Sequence, residues 1–352
     1  MNNPLRVGIA GYGVVGHRRH RFIDECDDMK VVAVCDRTLE GESALENGTP
    51  CFSKHEQLLN EDLDILFVCI SNDKAAEVTI GGLEKSLHVF CEKPPGRDVA
   101  DIARVIECEK KHPGLKLMYG FNHRYHYSVR EALGLVKSGE LGEIVNLRAV
   151  YGKSRLVTYG QDTDWRVSRE LAGGGILLDQ GIHMVDLLRL FVGDFTEIHS
   201  FISNDFWKHD VEDNAYAMMR TADGKVAMLH SSGTQWRHRF HLDIALSRGN
   251  IILSGILSGT KSYGDETLIV ARTTGDERGD PEETVTHYDH DPSWADEIAA
   301  FCEAVRNDKP IEKGSSEEAL KTMQLVYRIY CADTEWRDRW KLESNIPQDK
   351  QP

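Results

Sequence analysis

The sequence is poor in three features that would otherwise indicate its class. No apolar run approaches the roughly 18 to 20 residues of a bilayer span, and the eight cysteines include no CxxC pair. The 42 lysine and arginine residues are outnumbered by 57 aspartate and glutamate residues, which gives a formal net charge of −15. Nucleic acid and anionic membranes attract clustered cationic surface, so neither is predicted as a partner. We expect a soluble cytoplasmic protein without disulfides or a metal site.

What the sequence does contain is two different rhythms of hydrophobic residues. Its 352 residues are enough for two domains at roughly 150 residues each. In residues 1–125, short apolar runs alternate with stretches of helical spacing. This alternation predicts βα units that form a doubly wound parallel sheet of the Rossmann type, and hence a dinucleotide-binding domain. The apolar runs cover residues 5–10, 30–35, 64–70, 88–91 and 116–119.

Residues 126–292 follow the second rhythm, in which strands succeed one another. A helix over 128–137 and a strand over 144–151 are predicted first, and the triple glycine 173–175 then opens a helix that runs to Phe191. Several strands after one helix favour an α+β domain with a large, mainly antiparallel open sheet. We expect this domain to hold the substrate and to mediate oligomerisation.

Turn chemistry and apolar stripes complete the prediction. Asp223-Gly224 indicates a hairpin, and Arg248-Gly249-Asn250 indicates a second turn between strands. Two apolar stripes at helical spacing predict C-terminal helices within 293–340. Residues from about 345 onward are typical of a disordered end.

A glycine pattern, GxGxxG, lies between the first predicted strand and the helix that follows it. Gly11 permits a tight turn, Gly13 lets the backbone approach a pyrophosphate, and Gly16 lets helix and strand pack closely. The free N–H groups at the helix start would point at the phosphates. The candidate cofactor contacts are Gly11, Tyr12, Gly13, Val14, Val15 and Gly16.

A basic cluster follows this pattern directly, at residues 17–21. A P-loop is excluded, because His17-Arg18 stands where GxxxxGK[ST] needs its lysine and hydroxyl. We interpret the cluster as a solvated helix face and predict no chemical role for it.

Asp36 ends the second apolar run, 20 residues after Gly16. A carboxylate at this place can accept hydrogen bonds from the adenosine ribose and would repel a 2′-phosphate, so NAD is predicted over NADP. Arg37 opposes that preference, because its guanidinium could pair with the phosphate or stack on adenine. Both residues are candidate cofactor contacts.

Lys93 follows the apolar run 88–91, within the segment Glu92-Lys93-Pro94-Pro95. Ligands of an open parallel sheet lie beyond the carboxyl ends of its strands, so Lys93 would emerge beside the cofactor. Its ammonium could donate a hydrogen bond to a substrate oxygen and stabilise the charge that grows there during hydride transfer. The alternative interpretation is an ordinary solvated lysine.

Asp179, His183 and Asp186 form a polar stripe on a largely apolar helix. At about 100° per residue, they lie within about 60° of one another on a regular helix. A neighbouring carboxylate could hold the imidazole in one tautomer and support its protonation, which suits a general acid or base near neutral pH. The alternative is a hydrogen-bonded core histidine.

The segments GYGVVG, EKP and DQGIHMVD, in this order and spacing, resemble the Gfo/Idh/MocA family of sugar and cyclitol dehydrogenases. The resemblance covers most of the chain. It implies that Lys93 and His183 are the catalytic pair and that Asp179 orients His183 and contacts the substrate. It also implies that the C-terminal helices pack on the nucleotide domain.

The resemblance also implies contacts with the nicotinamide and its ribose. Members of the family often carry a histidine after the strand that ends here at Ile70, and this chain departs from that pattern. Tyr288 matches a further contact position. The candidate cofactor contacts from the resemblance are Ser71, Asn72, Glu92, Lys93, Asn122, Trp165 and Arg166.

We therefore predict NAD(P)-dependent hydride transfer between the nicotinamide and a hydroxyl-bearing carbon of a sugar, cyclitol or sugar derivative. One alternative is an NAD-dependent glycosidase that uses transient oxidation, and another is a non-catalytic sensor that binds sugar and NAD. A short-chain dehydrogenase is excluded, because neither TGxxxGxG nor YxxxK occurs.

The substrate side of the site is less specific in the sequence. Aromatic faces and guanidinium groups suit sugar rings and anionic substituents, so Arg166 and Trp236 could also line it. The open sheet needs covering, and the family covers it by pairing subunits, so a homodimer or homotetramer is expected. The candidate substrate contacts are Lys93, Arg124, Trp165, Asp179 and His183.

Overall fold

The structure, a computed structural model, describes residues 3–41, 43–156, 165–258, 261–273, 275 and 279–343. It divides into two compact units. The first unit contains residues up to 122 with 170–173 and 294–321, and the second contains 123–169, 174–293 and the residues from 322. The domain limits expected after residues 125 and 292 stay a prediction. The end expected to be disordered, from about residue 345, lies outside the described residues.

The strands and helices are numbered in chain order. The strands are β1 (Leu5–Ala10), β2 (Met29–Cys35), β3 (Cys51–Phe52), β4 (Ile65–Val68), β5 (His88–Cys91), β6 (Leu117–Tyr119), β7 (Ile144–Gly152), β8 (Phe195–Ser203), β9 (Asn214–Thr221), β10 (Val226–Ser232), β11 (Arg239–Leu246), β12 (Gly249–Ser254), β13 (Glu266–Arg272) and β14 (Glu282–Tyr288). The helices are α1 (Val14–Asp24), α2 (His55–Leu58), α3 (Asn72–Glu84), α4 (Val99–Glu109), α5 (Tyr127–Ser138), α6 (Arg169–Ala172), α7 (Ile182–Val192), α8 (Ser293–Arg306), α9 (Ser316–Ala332) and α10 (Thr334–Trp340).

A parallel sheet forms the core of the first unit, with its strands in the order β3-β2-β1-β4-β5-β6. Val7, Ile65 and Phe67 on its central strands have no exposed surface, as expected when both faces of a sheet are covered. The strand order reverses between β1 and β4, which is where sheets of this type bind ligands. The predicted Rossmann-type sheet is confirmed.

Aromatic packing secures the middle of this sheet. The rings of Phe67 on β4 and Phe90 on β5 stack with centroids 4.8 Å apart. Phe301 of α8 meets both rings edge-on, at 6.0 and 5.6 Å. Offset and edge-to-face pairs of this kind add to the stability that burial of the rings provides.

A mainly antiparallel sheet forms the second unit, in the order β14-β13-β12-β11-β7-β10-β9-β8. Among the described strands of this second sheet, only β7 and β10 pair in parallel. One face packs against α5 and α7. This arrangement confirms the α+β second domain, and the predicted hairpin at Asp223-Gly224 joins β9 to β10, with φ at Gly224 of +91°.

The opposite face of this sheet exposes apolar side chains on its outer strands. Phe201 on β8 pairs with Tyr216 on β9, and Met218 on β9 pairs with Met228 on β10. All four side chains are exposed, and Phe201 is 79% exposed. Contiguous exposed apolar surface of this kind commonly marks an interaction face.

The second predicted turn is one residue out of place. The turn residues are Ser247 and Arg248, whereas Gly249 is the first residue of β12. A Cβ on Gly249 would lie 2.3 Å from the carbonyl oxygen of Ala271 on β13. Glycine is therefore needed here for close approach of two strands and not for turn geometry.

Among the residues that the structure describes, none of the helices has the length and apolar character needed to cross a membrane. The eight cysteines are all free thiols.

Candidate active site

The glycine segment after β1 has the local geometry that its pattern predicts. Gly11 has φ of +91°, and a Cβ there would lie 2.3 Å from the carbonyl oxygen of Cys69. A Cβ on Gly16 would lie 2.0 Å from the carbonyl oxygen of Gly11, so only glycine lets α1 pack against the loop. By contrast, nothing lies within 4 Å of the Cβ position of Gly13. The space beside Gly13, at the N-terminus of α1, fits a pyrophosphate bound by backbone N–H groups.

Asp36 lies beside this segment, at the end of β2. One of its carboxylate oxygens accepts a hydrogen bond from the Tyr12 N–H at 2.8 Å, and the other accepts from the Thr38 N–H at 3.0 Å. These bonds fix the carboxylate next to the glycine segment, where it fits the ribose of a dinucleotide. Arg37 begins the short 3₁₀ helix that follows and is exposed.

The other predicted contacts of the first unit also follow parallel strands. Ser71 and Asn72 lie at the start of α3 after β4, Glu92 and Lys93 follow β5, and Asn122 follows β6. These residues and the glycine segment therefore all lie at the carboxyl ends of the strands, which is where open parallel sheets bind their ligands. Asn72 is buried, and its amide donates a 2.8 Å hydrogen bond to the carbonyl oxygen of Ala172.

The interpretation of the basic cluster 17–21 as a solvated face is wrong for Arg19. This side chain is fully buried. Its guanidinium donates hydrogen bonds to Glu92 at 2.6 Å and to Glu297 of α8 at 2.7 Å, and it lies over the rings of Phe90 and Trp294 at 4.5 and 4.3 Å. The two carboxylates outweigh the effect of burial and raise the pKa of Arg19. Arg19 thus fixes the residue that precedes Lys93.

One signal for this role was present in the sequence. Gly16, Arg19 and Ile23 recur at helical spacing, and all three are buried on one stripe of α1. Arg19 therefore shares the face of two core residues and not that of Arg21, whose side chain is 74% exposed. Nothing local identifies Glu297, which is 278 residues away along the chain.

In the second unit, the predicted regular helix through Asp179 and His183 is interrupted. Leu177–Gly181 is a turn of π-helix, and α7 begins only at Ile182. A π-turn holds more residues per turn than an α-helix, so the angular spacing assumed between Asp179 and the two α7 residues, His183 and Asp186, does not apply. Turns of this kind occur often at functional sites.

Asp186, the last carboxylate of the predicted polar stripe, pairs with Arg124. It forms two 2.7 Å hydrogen bonds with the guanidinium of Arg124, and both side chains are at most 3% exposed. Thr322 donates a further bond to the same carboxylate. This pairing gives Asp186 a structural role. The substrate contact predicted for Arg124 stays a prediction, although two of its nitrogens already bond to Asp186.

Asp179 lies beside two cationic side chains. Its carboxylate oxygens lie 3.5 Å from the Lys153 ammonium and 3.6 Å from the Arg166 guanidinium. The guanidinium also lies 4.5 Å from the centroid of the Trp165 ring. All four side chains are half-buried, so the cluster remains accessible to a small ligand. Lys153 was missed, because a lysine after a strand has no distinctive local signal.

His183 is buried and stacks face to face on His123, with ring centroids 3.8 Å apart and an interplanar angle of 11°. The His123 ring is itself fixed, because its Nε2 lies 3.0 Å from the Tyr151 hydroxyl. A neutral imidazole at His183 is the form that can accept a proton.

Glu212 fixes the backbone at the start of the π-turn, and sequence reasoning missed this role. Its buried carboxylate accepts hydrogen bonds from the N–H groups of Gly175 and Leu177, at 2.8 and 3.0 Å, and from the Tyr330 hydroxyl at 2.6 Å. A Cβ on Gly175 would lie 2.1 Å from the Glu212 carbonyl oxygen. Burial raises the pKa of Glu212, although these donors oppose the shift.

Tyr288, the further contact from the resemblance, lies on the edge strand β14. Its hydroxyl donates a 2.6 Å hydrogen bond to Glu131 of α5. Burial and this carboxylate raise the pKa of Tyr288. The contact ties β14 to α5 within the second unit.

Comparison with known proteins adds to this geometry. Residues 5–121 match an oxidoreductase family with an NAD-binding Rossmann fold, and residues 129–252 match the Gfo/Idh/MocA C-terminal domain. Together the matches span more than half of the chain. The chain belongs to the Gfo/Idh/MocA family. The resemblance predicted from three short segments is thereby confirmed, and the first unit is an NAD-binding Rossmann domain.

Several relatives of this Gfo/Idh/MocA protein are named for sugars or cyclitols. It is 28% identical to D-glucoside 3-dehydrogenase of Escherichia coli K12, over 94% of this chain and 95% of the relative. It is 24% identical to myo-inositol 2-dehydrogenase of Thermotoga maritima, over 92% and 94%. The solved structure of levoglucosan dehydrogenase with NADH superposes with a TM-score of 0.82 at 19% identity, over 95% and 98%, which shows the shared fold.

The protein is therefore an enzyme, an oxidoreductase of a family that acts on sugars and cyclitols with NAD(P). The comparisons support neither the glycosidase nor the sensor alternative. They leave open the choice between NAD and NADP and the identity of the substrate.

Proposed function

We propose that the protein is an NAD-dependent dehydrogenase that transfers hydride between the nicotinamide and one hydroxyl-bearing carbon of a sugar, cyclitol or sugar derivative. The observation that carries this proposal is the environment of His183. Its buried imidazole stacks on His123, and the helix that bears it follows Asp179, which has two cationic neighbours. Lys93, at the carboxyl end of β5, is the second group in the proposal.

In this mechanism the residues divide proton transfer, charge stabilisation and binding between them. When bound, NAD supplies the hydride acceptor. Neutral His183 accepts the proton of the substrate hydroxyl, and Lys93 donates a hydrogen bond to the same oxygen to stabilise its developing negative charge. Asp179 orients His183 and hydrogen-bonds the substrate, while Trp165, Arg166, Glu92 and Asn122 contact the nicotinamide half of the cofactor.

The catalytic pair is tested by Lys93→Met and His183→Asn. Loss of a positioned acid or base typically costs about 10²- to 10⁴-fold in rate, so we expect kcat to fall by that much on any active sugar. NAD binding, followed by fluorescence quenching, should stay nearly unchanged. Lys110→Met and His290→Asn replace exposed residues and are the matched controls. Near-normal turnover in both active-site variants would reject the assignment.

The preference for NAD is proposed from Asp36. Its carboxylate, fixed by Tyr12 and Thr38, would repel the 2′-phosphate of NADP. In Asp36→Ala we expect the ratio of kcat/KM for NADP to that for NAD to rise by about tenfold or more, because the like-charge repulsion is removed. A wild-type enzyme that prefers NADP, or a variant with an unchanged ratio, would contradict the proposal.

A homodimer or homotetramer that pairs through the exposed face of the second sheet is also proposed. The support is the apolar surface of Phe201, Tyr216, Met218 and Met228. The cytoplasmic location stays a prediction from composition.

A further inference from the structure

Three aromatic side chains form an exposed cluster at one end of the second sheet. Phe206 and Trp207 lie in the connection from β8 to β9, and Trp236 follows β10. Their ring centroids are 5.0, 6.3 and 6.4 Å apart, and the rings meet nearly edge-on. Phe206 is 56% exposed and Trp236 is 68% exposed. Large exposed aromatic surface costs free energy in water unless something covers it.

The backbone under this aromatic cluster is well fixed. One carboxylate oxygen of buried Asp213 accepts hydrogen bonds from the N–H groups of both Phe206 and Trp207, each at 2.9 Å. The indole N–H of Trp207 donates a 2.6 Å bond to the carbonyl oxygen of Gly233. The Trp207 ring and the backbone of Phe206 are thus held before a ligand arrives, which reduces the entropy lost on binding.

Backbone hydrogen bonds link the segment before Trp236 to Lys153, which is part of the polar site around Asp179. The Lys153 N–H donates to the Ser232 carbonyl oxygen, and the Gln235 N–H donates to the Lys153 carbonyl oxygen, both at 2.9 Å. Lys153 also extends its ammonium to Asp179, at 3.5 Å. Trp236 therefore directly follows Gln235, whose backbone is bonded to Lys153, and Lys153 in turn contacts Asp179.

Donor groups accompany the exposed rings. The guanidinium of Arg155 lies 5.4 Å from the centroid of the Trp207 ring, and Arg155 is itself exposed. A sugar ring has an apolar C–H face and a rim of hydroxyls, so it matches an aromatic face flanked by hydrogen-bond donors. The apolar face on β8, β9 and β10 spans three neighbouring strands, whereas this cluster lies in the connections that follow β8 and β10. We therefore assign the strand face to subunit pairing and the cluster to a ligand.

We propose that Phe206, Trp207 and Trp236 form a subsite for a second sugar ring, so that the preferred substrate is a glycoside with at least two rings. This inference rests on the proposed dehydrogenase function, in which the first ring is oxidised beside Asp179 and His183. Binding energy from a ring that does not react can be used to orient the reacting carbon.

The experiment compares glucose, methyl glucoside, maltose and cellobiose as substrates with NAD, for the full chain and for Trp236→Ala. In the wild type, at least one disaccharide should exceed glucose in kcat/KM. Trp236→Ala should lower that disaccharide-to-glucose ratio about tenfold, mainly through KM, as expected for a buried aromatic contact. Trp236→Phe should restore part of the ratio. Phe201→Ala, which removes another exposed ring, should leave the ratio unchanged.

A binding measurement separates this subsite from the chemistry. Calorimetric titration of maltose and cellobiose into the NAD-bound enzyme reads the subsite even if no sugar is oxidised. Binding that Trp236→Ala abolishes, without turnover, would support the subsite and contradict the dehydrogenase proposal for these sugars. Oxidation of glucose with no disaccharide preference, or equal losses on all four sugars in Trp236→Ala, would overturn the subsite and leave the dehydrogenase proposal standing. Absence of disaccharide binding would also overturn it.

Discussion

Arg19 shows how far the environment of one residue can differ from its sequence context. It lies in a run of five basic or imidazole side chains, yet it is buried between two carboxylates and two aromatic rings. A buried ion pair is not by itself evidence of high stability, because desolvation offsets much of the attraction. Removing one partner of a buried pair is costly, however, since it leaves a buried charge without that partner's compensation.

We therefore expect Arg19→Met to lower the free energy of unfolding by about 3 to 5 kcal/mol, because Glu92 and the buried Glu297 both lose the guanidinium that bonds to them. Urea unfolding followed by circular dichroism measures this change. Arg21→Met is the control, since the exposed Arg21 side chain should contribute at most about 0.5 kcal/mol. Equal stabilities of the two variants would show that the buried network contributes little.

At the scale of elements, glycines decide how two segments meet. The loop of residues 11–16 lies in its predicted place, because Gly11 and Gly16 leave no room for a Cβ, whereas the space beside Gly13 is open. The helix through Asp179 is different, since its π-turn depends on Glu212 and Gly175, which are distant from each other in sequence. Helical periodicity alone could not reveal it.

Gly16→Ala tests the local part of this argument. The new Cβ would lie 2.0 Å from the Gly11 carbonyl oxygen, so α1 or the loop must shift. We expect NAD affinity, measured by calorimetry, to fall about tenfold or more, because the phosphate-binding N–H groups move with the helix. Gly134→Ala in α5 is the matched control: nothing lies within 4 Å of its Cβ position, and alanine there should stabilise the helix by about 0.5 to 1 kcal/mol.

For the molecule as a whole, Glu266 links stability to pH. Burial opposes its ionisation, but hydrogen bonds from His126 at 2.8 Å and Ser128 at 2.6 Å hold its pKa below the ordinary 4.5. A carboxyl with a lowered folded pKa stabilises the protein fully above its unfolded pKa and progressively less as pH falls through the folded value.

The expected result is that the melting temperature declines below about pH 4.5 and that Glu266→Gln, though less stable at neutral pH, declines less steeply. Scanning calorimetry between pH 3 and 7 measures both curves. Glu283→Gln replaces an exposed carboxyl on β14 and should follow the wild type. Parallel curves for wild type and Glu266→Gln would contradict the linkage.

Assembly is also a property of the whole molecule. Met218→Lys places a charge in the middle of the exposed apolar face and should shift the light-scattering mass toward the monomer, because a charge without a partner opposes burial of that face. Val285→Lys, on the exposed edge strand at the far end of the same sheet, should leave the mass unchanged. A wild type that is already monomeric would exclude pairing through this face.

The sequence by itself determined the features that depend on neighbours along the chain. Alternation of βα units, the glycine segment, the acid at the end of β2 and the hairpin at Asp223-Gly224 all arise from local sterics and short-range hydrogen bonds. Only the tertiary structure decided the partners of charges. Arg19 pairs with Glu297, and Arg124 pairs with Asp186. A buried charge needs an opposite charge nearby, and the packing of the whole chain decides which residue supplies it. That requirement has no fixed spacing in sequence.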